Sequence, residues 1–207
     1  MAYKYFCFEG LDGSGKDTQL NLTTKWLRDK SSRGQVLLTS EPWDWTHAGK
    51  IIAHKLKNGG FTNPLEALNL YVSDRIEQTL FRRNILRAAN IIGSRSDLST
   101  YAYQGMQWVS FDEIREAHDY PSWAILIPDL TFYFQAAIET VLSRVDKRWG
   151  EREYFETTER LTKSHEQYLK AIEYLKWERK IIIIDASRSI EKIFEDVVRF
   201  MEEEFSA

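Results

Sequence analysis

The chain has 207 residues, 43% hydrophobic and 29% charged, which is enough for one sizeable core and short for two, so a single domain over residues 1–207 is expected. A formal net charge of −3 excludes a general attraction to nucleic acid, so any anionic ligand must be held by a local cluster of bases. No stretch approaches the roughly 18 uninterrupted apolar residues of a membrane span, no cleavable leader is recognised, and the one cysteine, Cys7, can form no internal disulfide; together these point to a cytoplasmic protein.

In chain order, YKYFCFE (3–9) reads as a strand, followed by a helix from about Lys16 to Asp29. QVLLTSE (35–41) is a second strand, which enters a loop at Pro42. Asn63 then reads as an N-cap, with Pro64 at the first helical position and Glu66 completing a capping box. Leu65, Leu68, Val72, Ile76 and Leu80 follow at spacings of three and four and predict a long amphipathic helix. ANIIGS (89–94) is a weaker strand signal, and DLSTYAYQGMQWV (97–109) reads as a helix. AILIPDLTFYF (124–134) is broken by Pro128, so the strand is expected after the proline. KIIIIDA (180–186) is the clearest buried strand, and Ile190, Ile193, Val197 and Met201 give the last helix one apolar face. Strands separated by helices predict an α/β fold, a parallel sheet covered on both sides.

Chemistry enters at FEGLDGSGKDTQ (8–19), where Gly10, Gly15 and Lys16 have the spacing of a phosphate-binding loop. A strand that ends in glycines and turns straight into a helix aims backbone N–H groups and the positive end of the helix dipole at one point, which stabilises phosphate oxygens. Lys16 can then reach the terminal phosphates of a nucleoside triphosphate. A glycine-rich turn that binds nothing is the plainer alternative, and the strand–loop–helix context together with the lysine weighs against it. The loop alone does not choose among GTPases, ATPases and kinases, although no N-K-x-D guanine-reading motif is present.

FEGLDGSGKDTQ, LYVSDRIEQT (70–79), SRSDLSTYAYQG (94–105) and PDLTFYF (128–134), in this order, resemble the thymidylate kinase family over nearly the whole chain. The resemblance implies a three-layer P-loop kinase fold with a five-stranded parallel sheet, transfer of a phosphoryl group from ATP–Mg²⁺ to dTMP, and commonly a homodimer. It implies that Gly10, Asp12, Gly13, Ser14, Gly15, Lys16, Asp17 and Thr18 surround ATP, with Asp12 also approaching the acceptor's 3′-hydroxyl. Pro42 matches the proline after the second strand, Tyr71 an aromatic that stacks on thymine, and Arg75 an arginine that contacts the base. Residues 71 and 75 are four apart on a predicted helix and so share a face. Arg95 matches the arginine that grips the monophosphate. Ser99, Thr100 and Tyr103 match contacts to base and sugar, Tyr103 excluding a 2′-hydroxyl. The plain alternatives are a core aromatic for Tyr71 and a surface ion pair for Arg95.

LSRVDKRWGEREYF (142–155), with Arg144, Lys147, Arg148 and Arg152, corresponds to the family's lid, about 143–155. Because Gly13 stands in the phosphate loop where an arginine is the alternative, the lid is expected to supply the transition-state charge, with Arg148 and Arg152 as candidates. Two departures concern the metal. The family usually has a hydroxyl residue at position 17 and an aspartate at 94, where this chain has Asp17 and Ser94. One carboxylate and one hydroxyl are then expected around Mg²⁺, whereas Thr18 is rotated away by about 100°; the plain alternative is that Asp17 only complements the helix dipole and faces solvent. A third departure, Ser40 before Glu41-Pro42 and the following WDWTHAG, leaves acceptor preference open. The alternatives are a kinase for another or several nucleoside monophosphates, or a nucleotide-binding module with impaired transfer. His47, His54, His118 and His165 have no metal-site spacing and receive no role.

Overall fold

The structure is a computed structural model that describes residues 3–30, 35–119, 124–147 and 157–206. Its strands are β1 (Tyr5–Glu9), β2 (Val36–Ser40), β3 (Asn90–Ser94), β4 (Leu130–Gln135) and β5 (Ile181–Asp185). The helices are α1 (Lys16–Lys30), α2 (His47–Lys57), α3 (Pro64–Ile85), α4 (Asp97–Gly105), α5 (Phe111–Asp119), α6 (Ile138–Asp146), α7 (Thr158–Leu175) and α8 (Ile190–Ser206). The five strands form one parallel sheet in the order β2-β3-β1-β4-β5. The three-layer P-loop kinase architecture expected from the sequence is the one observed.

β1 is buried on both faces, so its alternating side chains serve two layers. Phe6 and Phe8 enter the main core, where Phe6 meets Phe205 of α8 edge-on at 5.3 Å. Tyr5 and Cys7 pack on the opposite side with Ile91, Ile85 and Leu86, and Arg82 of α3 lies 5.0 Å above the Tyr5 ring. Cys7 is fully buried, and burial pushes its thiol well above the ordinary range, as suits a small packing residue. β3 and β4 flank β1, so the chain turns left and right of it in succession. In such sheets the crevice beyond the carboxyl ends of the strands, where the winding reverses, is the usual ligand site.

Several local expectations change. KIIIIDA, the most apolar run, forms the edge strand β5 and leaves Ile183 exposed, whereas the weaker ANIIGS lies inside the sheet with Ile91 and Ile92 fully buried. The helix expected over 97–109 stops at Gly105, and Trp108 beyond it has a left-handed backbone (φ 71°). Asn63 caps α3 by accepting the Leu65 N–H at 3.0 Å, but Glu66 closes no capping box and pairs with Lys55 of α2 at 2.7 Å. On α3 itself Leu65 and Leu80 are exposed, and the buried stripe includes Asp74, Arg75, Gln78 and Arg82. α2, α5, α6 and α7 had no sequence assignment; α6 occupies the start of the expected lid. Among the described residues no helix is long and apolar enough to cross a membrane.

The apolar face predicted for α8 is present, and Val197 and Met201 are fully buried. Met201→Ala is expected to lower the unfolding free energy by about 2–5 kcal/mol through lost contacts and a residual cavity, measured by urea denaturation.

Candidate active site

The loop between β1 and α1 owes its path to glycine. Gly10 has φ 145°, and a Cβ there would meet the Phe134 carbonyl oxygen at 2.9 Å. Gly13 has φ 84°, and its Cβ would stand 2.9 Å from the Val141 carbonyl oxygen of α6. Any side chain at position 13 would therefore strain the backbone and push α6 away. The Ser14 N–H donates to the Leu11 carbonyl at 3.0 Å to close the turn, and α1 begins two residues later.

Lys16 is buried, with its Nζ 3.2 Å from Asp12 Oδ1 and 3.2 Å from Asp17 Oδ2. Arg95 Nη2 reaches the same Asp12 Oδ1 at 2.6 Å. Burial alone would raise the Asp12 carboxyl, but Arg95 and Lys16 hold it well below the usual carboxylate range. Arg95 follows β3 with φ 71°, a conformation that few side-chain-bearing residues adopt and that often marks functional positions. Its guanidinium is fixed by Ser99 Oγ at 3.1 Å, Tyr168 OH at 3.2 Å and the Tyr103 ring at 5.2 Å.

A cleft of about 140 Å³ opens beside Asp12. Pro42, Tyr71, Arg75 and Arg95 line it, and so do Ser99, Thr100 and Tyr103. The sequence expectation thus gathers into one place from β2's loop, α3 and α4. Tyr71 packs against Phe61 at 6.1 Å. Arg75 is almost fully buried; Glu41 Oε2 accepts from its Nε at 2.8 Å and its Nη2 at 2.5 Å. Asp17 lies outside the cleft, 68% exposed, with Ser94 Oγ 3.5 Å from its Oδ1, so the two traded residues face one another. Thr18 is solvent-exposed. Arg148 and Arg152 lie outside the described residues. Arg144, at the start of the expected lid, donates to the carbonyls of Gly13 (3.3 Å), Ser14 (3.0 Å) and Ala186 (3.3 Å).

The sequence reading missed three contributors. Glu9 is fully buried at the end of β1, where its carboxylate accepts the Ser96 N–H at 2.6 Å and the Ser99 N–H at 3.2 Å, capping α4 from another element. A lone acid closing an apolar strand was the available signal. Glu41 is held by Arg75 and, at 2.8 Å, by Arg82. Gln104 lines the cleft, and its buried Nε2 has no hydrogen-bond partner among the described residues.

The thymidylate kinase family profile matches residues 8–197. The chain belongs to the thymidylate kinase family. It is thereby a nucleoside monophosphate kinase, with the family's fold. It is 31% identical over 212 residues to a probable thymidylate kinase of Methanococcoides burtonii, covering 96% of each chain. A probable thymidylate kinase of Caldivirga maquilingensis is 32% identical, over 94% of this chain and 91% of the relative. Among solved structures, the thymidylate kinase of Candida albicans superposes with a TM-score of 0.78 at 22% identity, over 98% of this chain and 92% of that one. That of Ehrlichia chaffeensis gives 0.71 at 21%, over 98% and 100%.

In this thymidylate kinase family member the segment after β2 is held by acids of α3. Asp74 accepts the Trp43 N–H at 3.3 Å, the Thr46 hydroxyl and Gln78 Nε2 at 2.8 Å. Glu77 accepts the His47 and Ala48 N–H groups at 2.8 and 3.3 Å, at the positive end of α2. Burial, opposed by the Thr46 and Gln78 hydrogen bonds and reinforced by the Glu41 charge, pushes Asp74 up to about 6. Between about pH 4 and pH 6 the folded state holds a proton that the unfolded chain has released, so this group's contribution to stability falls as pH rises. Asp74→Asn, which cannot titrate, should gain on the wild type by up to about 3 kcal/mol from pH 4 to pH 7. Urea unfolding of both proteins at the two pH values measures this; a difference that does not change with pH would mean an ordinary pKa.

Proposed function

We propose that the chain transfers the γ-phosphoryl group of ATP, with Mg²⁺, to dTMP, giving ADP and dTDP for dTTP synthesis. The observation that carries this reading is the single Asp12 oxygen that binds both Lys16 at 3.2 Å and Arg95 at 2.6 Å. The cation of the phosphate loop and the cation of the cleft meet at one point, as transfer between two bound phosphates requires. A module that only binds nucleotide has no use for that meeting.

On the donor side, backbone N–H groups from Gly13 to Lys16 at the start of α1, with the Lys16 ammonium, receive the β- and γ-phosphates. On the acceptor side, Arg95 clamps the monophosphate, and Asp12 approaches the 3′-hydroxyl. Tyr71 stacks on the base, with Pro42 and Leu56 closing that side of the cleft. Arg75 is donor-only and the Gln104 Nε2 is unpaired, so the base edge they face must present acceptors. The O4 of thymine does so; the amino group of cytosine does not. Ser99 and Thr100 flank base and sugar, and Tyr103 excludes a 2′-hydroxyl.

An acceptor phosphate oxygen then forms a bond to the γ-phosphorus as the bond to the β–γ bridging oxygen breaks, and ADP leaves with the electron pair. Lys16 and Arg95 neutralise the developing charge, joined by Arg148 and Arg152 of the lid, whose closure also excludes water. Mg²⁺ fits the loop: an exposed Asp17 carboxylate and a Ser94 hydroxyl 3.5 Å from it are both hard oxygen donors, able to hold the ion directly or through water. When bound, the ion supplies neutralising charge to the phosphate oxygens. We place this single kinase domain in the cytoplasm as a homodimer; the exposed Trp45, Leu80 and Phe81 offer apolar surface for a second copy.

An ADP-release assay with ATP and Mg²⁺ tests the reading, with dTMP compared against dUMP, dCMP, dGMP, dAMP, the ribonucleotides and no acceptor. Selective turnover of dTMP is expected. Turnover of several acceptors would replace the substrate assignment by a broad one, and no acceptor-dependent release would leave a nucleotide-binding module. The metal assignment has its own check in Asp17→Ser and Ser94→Asp: each should depress turnover, and the pair together should recover much of it. Additive losses would sink the exchange.

A further inference from the structure

His118 sits on α5, outside every motif above, yet its ring is buried against Arg75, which lines the cleft. Its Nδ1 lies 2.6 Å from the Ile114 carbonyl oxygen, and its Nε2 lies 2.5 Å from Arg75 Nη1. A carbonyl can only accept, so Nδ1 carries the proton; Nε2 is then a lone pair facing a guanidinium that can only donate. The ring of Tyr101 on α4 lies nearly parallel to it, at 18° and 6.2 Å. Burial and the Arg75 charge push His118 down to about 4, against smaller pulls from Asp97 and Glu41, so the imidazole is neutral in ordinary buffers.

The other N–H groups of Arg75 are also spoken for. Glu41 takes Nε and one Nη2 proton, and Thr100 Oγ1 lies 3.3 Å from Nη2. With His118 on Nη1, one Nη1 N–H is left without a partner among the described residues, on a guanidinium that lines the cleft. A planar fork with its other donors fixed can present that last N–H in one direction only.

We propose that neutral His118, in its Nδ1-protonated form, is a positioning residue for Arg75: it occupies one Nη1 proton and so aims the other at the acceptor's base. The inference rests on the proposed acceptor site for its functional consequence, but not for its chemistry. Loss of the Nε2 acceptor leaves a buried Nη1 N–H unpaired on one edge of the fork, so the guanidinium as a whole tilts on its remaining Glu41 and Thr100 contacts, which weakens monophosphate binding without touching the ATP side.

Two measurements on the full-length protein test it. Nitrogen-15 NMR of the histidine rings, with His118 assigned by comparison with His118→Gln, is expected to show an Nδ1-protonated ring that stays neutral at pH 6. An Nε2-protonated or charged ring would overturn the proposal whatever the enzyme's activity. In kinetics, His118→Asn can still donate to the Ile114 carbonyl but lacks an acceptor near Arg75. It should raise KM for dTMP by about tenfold or more, the scale of one hydrogen bond to a charged group, with kcat and KM for ATP within about twofold. His118→Gln, which can place an amide oxygen near the Nε2 position, should recover most of the loss. Equal effects of Asn and Gln, or losses shared by kcat and KM for ATP, would reduce His118 to a packing residue. Should the Asn variant fail to fold, the Gln variant and the wild-type ring spectrum still decide. If wild-type protein turns over no monophosphate, the proposed function fails, while the ring spectrum judges the His118 contact by itself.

Discussion

The carboxylate of Glu41 holds the cleft side of the molecule together. It leaves the end of β2, is buried, and is shared by Arg75 and Arg82, seven residues apart along one stripe of α3. Neutral partners add to each guanidinium: Thr39 at 3.0 Å for Arg82, Thr100 and His118 for Arg75. Taking three charged groups out of water is expensive, and a buried ion pair rarely adds net stability over an apolar replacement. What the cluster contributes is direction. Rigid forks with fixed acceptors can be satisfied in one arrangement only, and that arrangement sets α3, and with it Tyr71, against the carboxyl ends of the strands.

A second buried acid does the same for α4. Glu9 closes β1, caps α4 through two backbone N–H groups, and also accepts from Ser99 Oγ at 2.7 Å and Tyr168 OH at 3.0 Å. Burial raises its pKa, with Arg95 and these hydrogen bonds opposing. Tyr168 belongs to α7, and it also touches Arg95. The strand that carries the phosphate loop (β1), the helix that lines the cleft (α4) and α7 therefore meet on one network. Such networks are costly when incomplete and specific when complete.

Between these two anchors lies Asp12, whose charge is stabilised by cations from both sides. A carboxylate kept ionised by two bases is a stable way to hold those bases close together in the absence of phosphates. The left-handed backbone at Arg95 fits the same picture, since a strained residue persists only where its surroundings determine it fully. The glycines at 10 and 13 let the Phe134 and Val141 carbonyls approach the loop closely.

Much of this was legible in the sequence because it depends on local chemistry. The phosphate loop, the N-cap at Asn63, the strand after Pro128 and the apolar face of α8 each follow from a few adjacent residues. The residues of the cleft came from motif resemblance, and they converge. What pattern could not give was anything decided by partners distant in the chain. Apolarity marks a strand but not its place in the sheet, so the run KIIIIDA became an edge and ANIIGS an interior strand. A 3.6-residue period marks an apolar stripe, but α3 buries a charged one, because Glu41, Thr39 and Ser40 supply the missing hydrogen bonds from another element. Glu9, Glu41 and His118 look unremarkable in one dimension for the same reason. By itself the sequence determined the five strands, the phosphate loop and the helices with a clear cap or apolar stripe, because their physics is local: glycine geometry, a lysine, a helix end and side-chain periodicity. The tertiary structure alone decided which acids are buried, which bases they orient and how the cleft meets the loop, because the stability of a buried charge depends on partners that only folding brings within 3 Å or so of it.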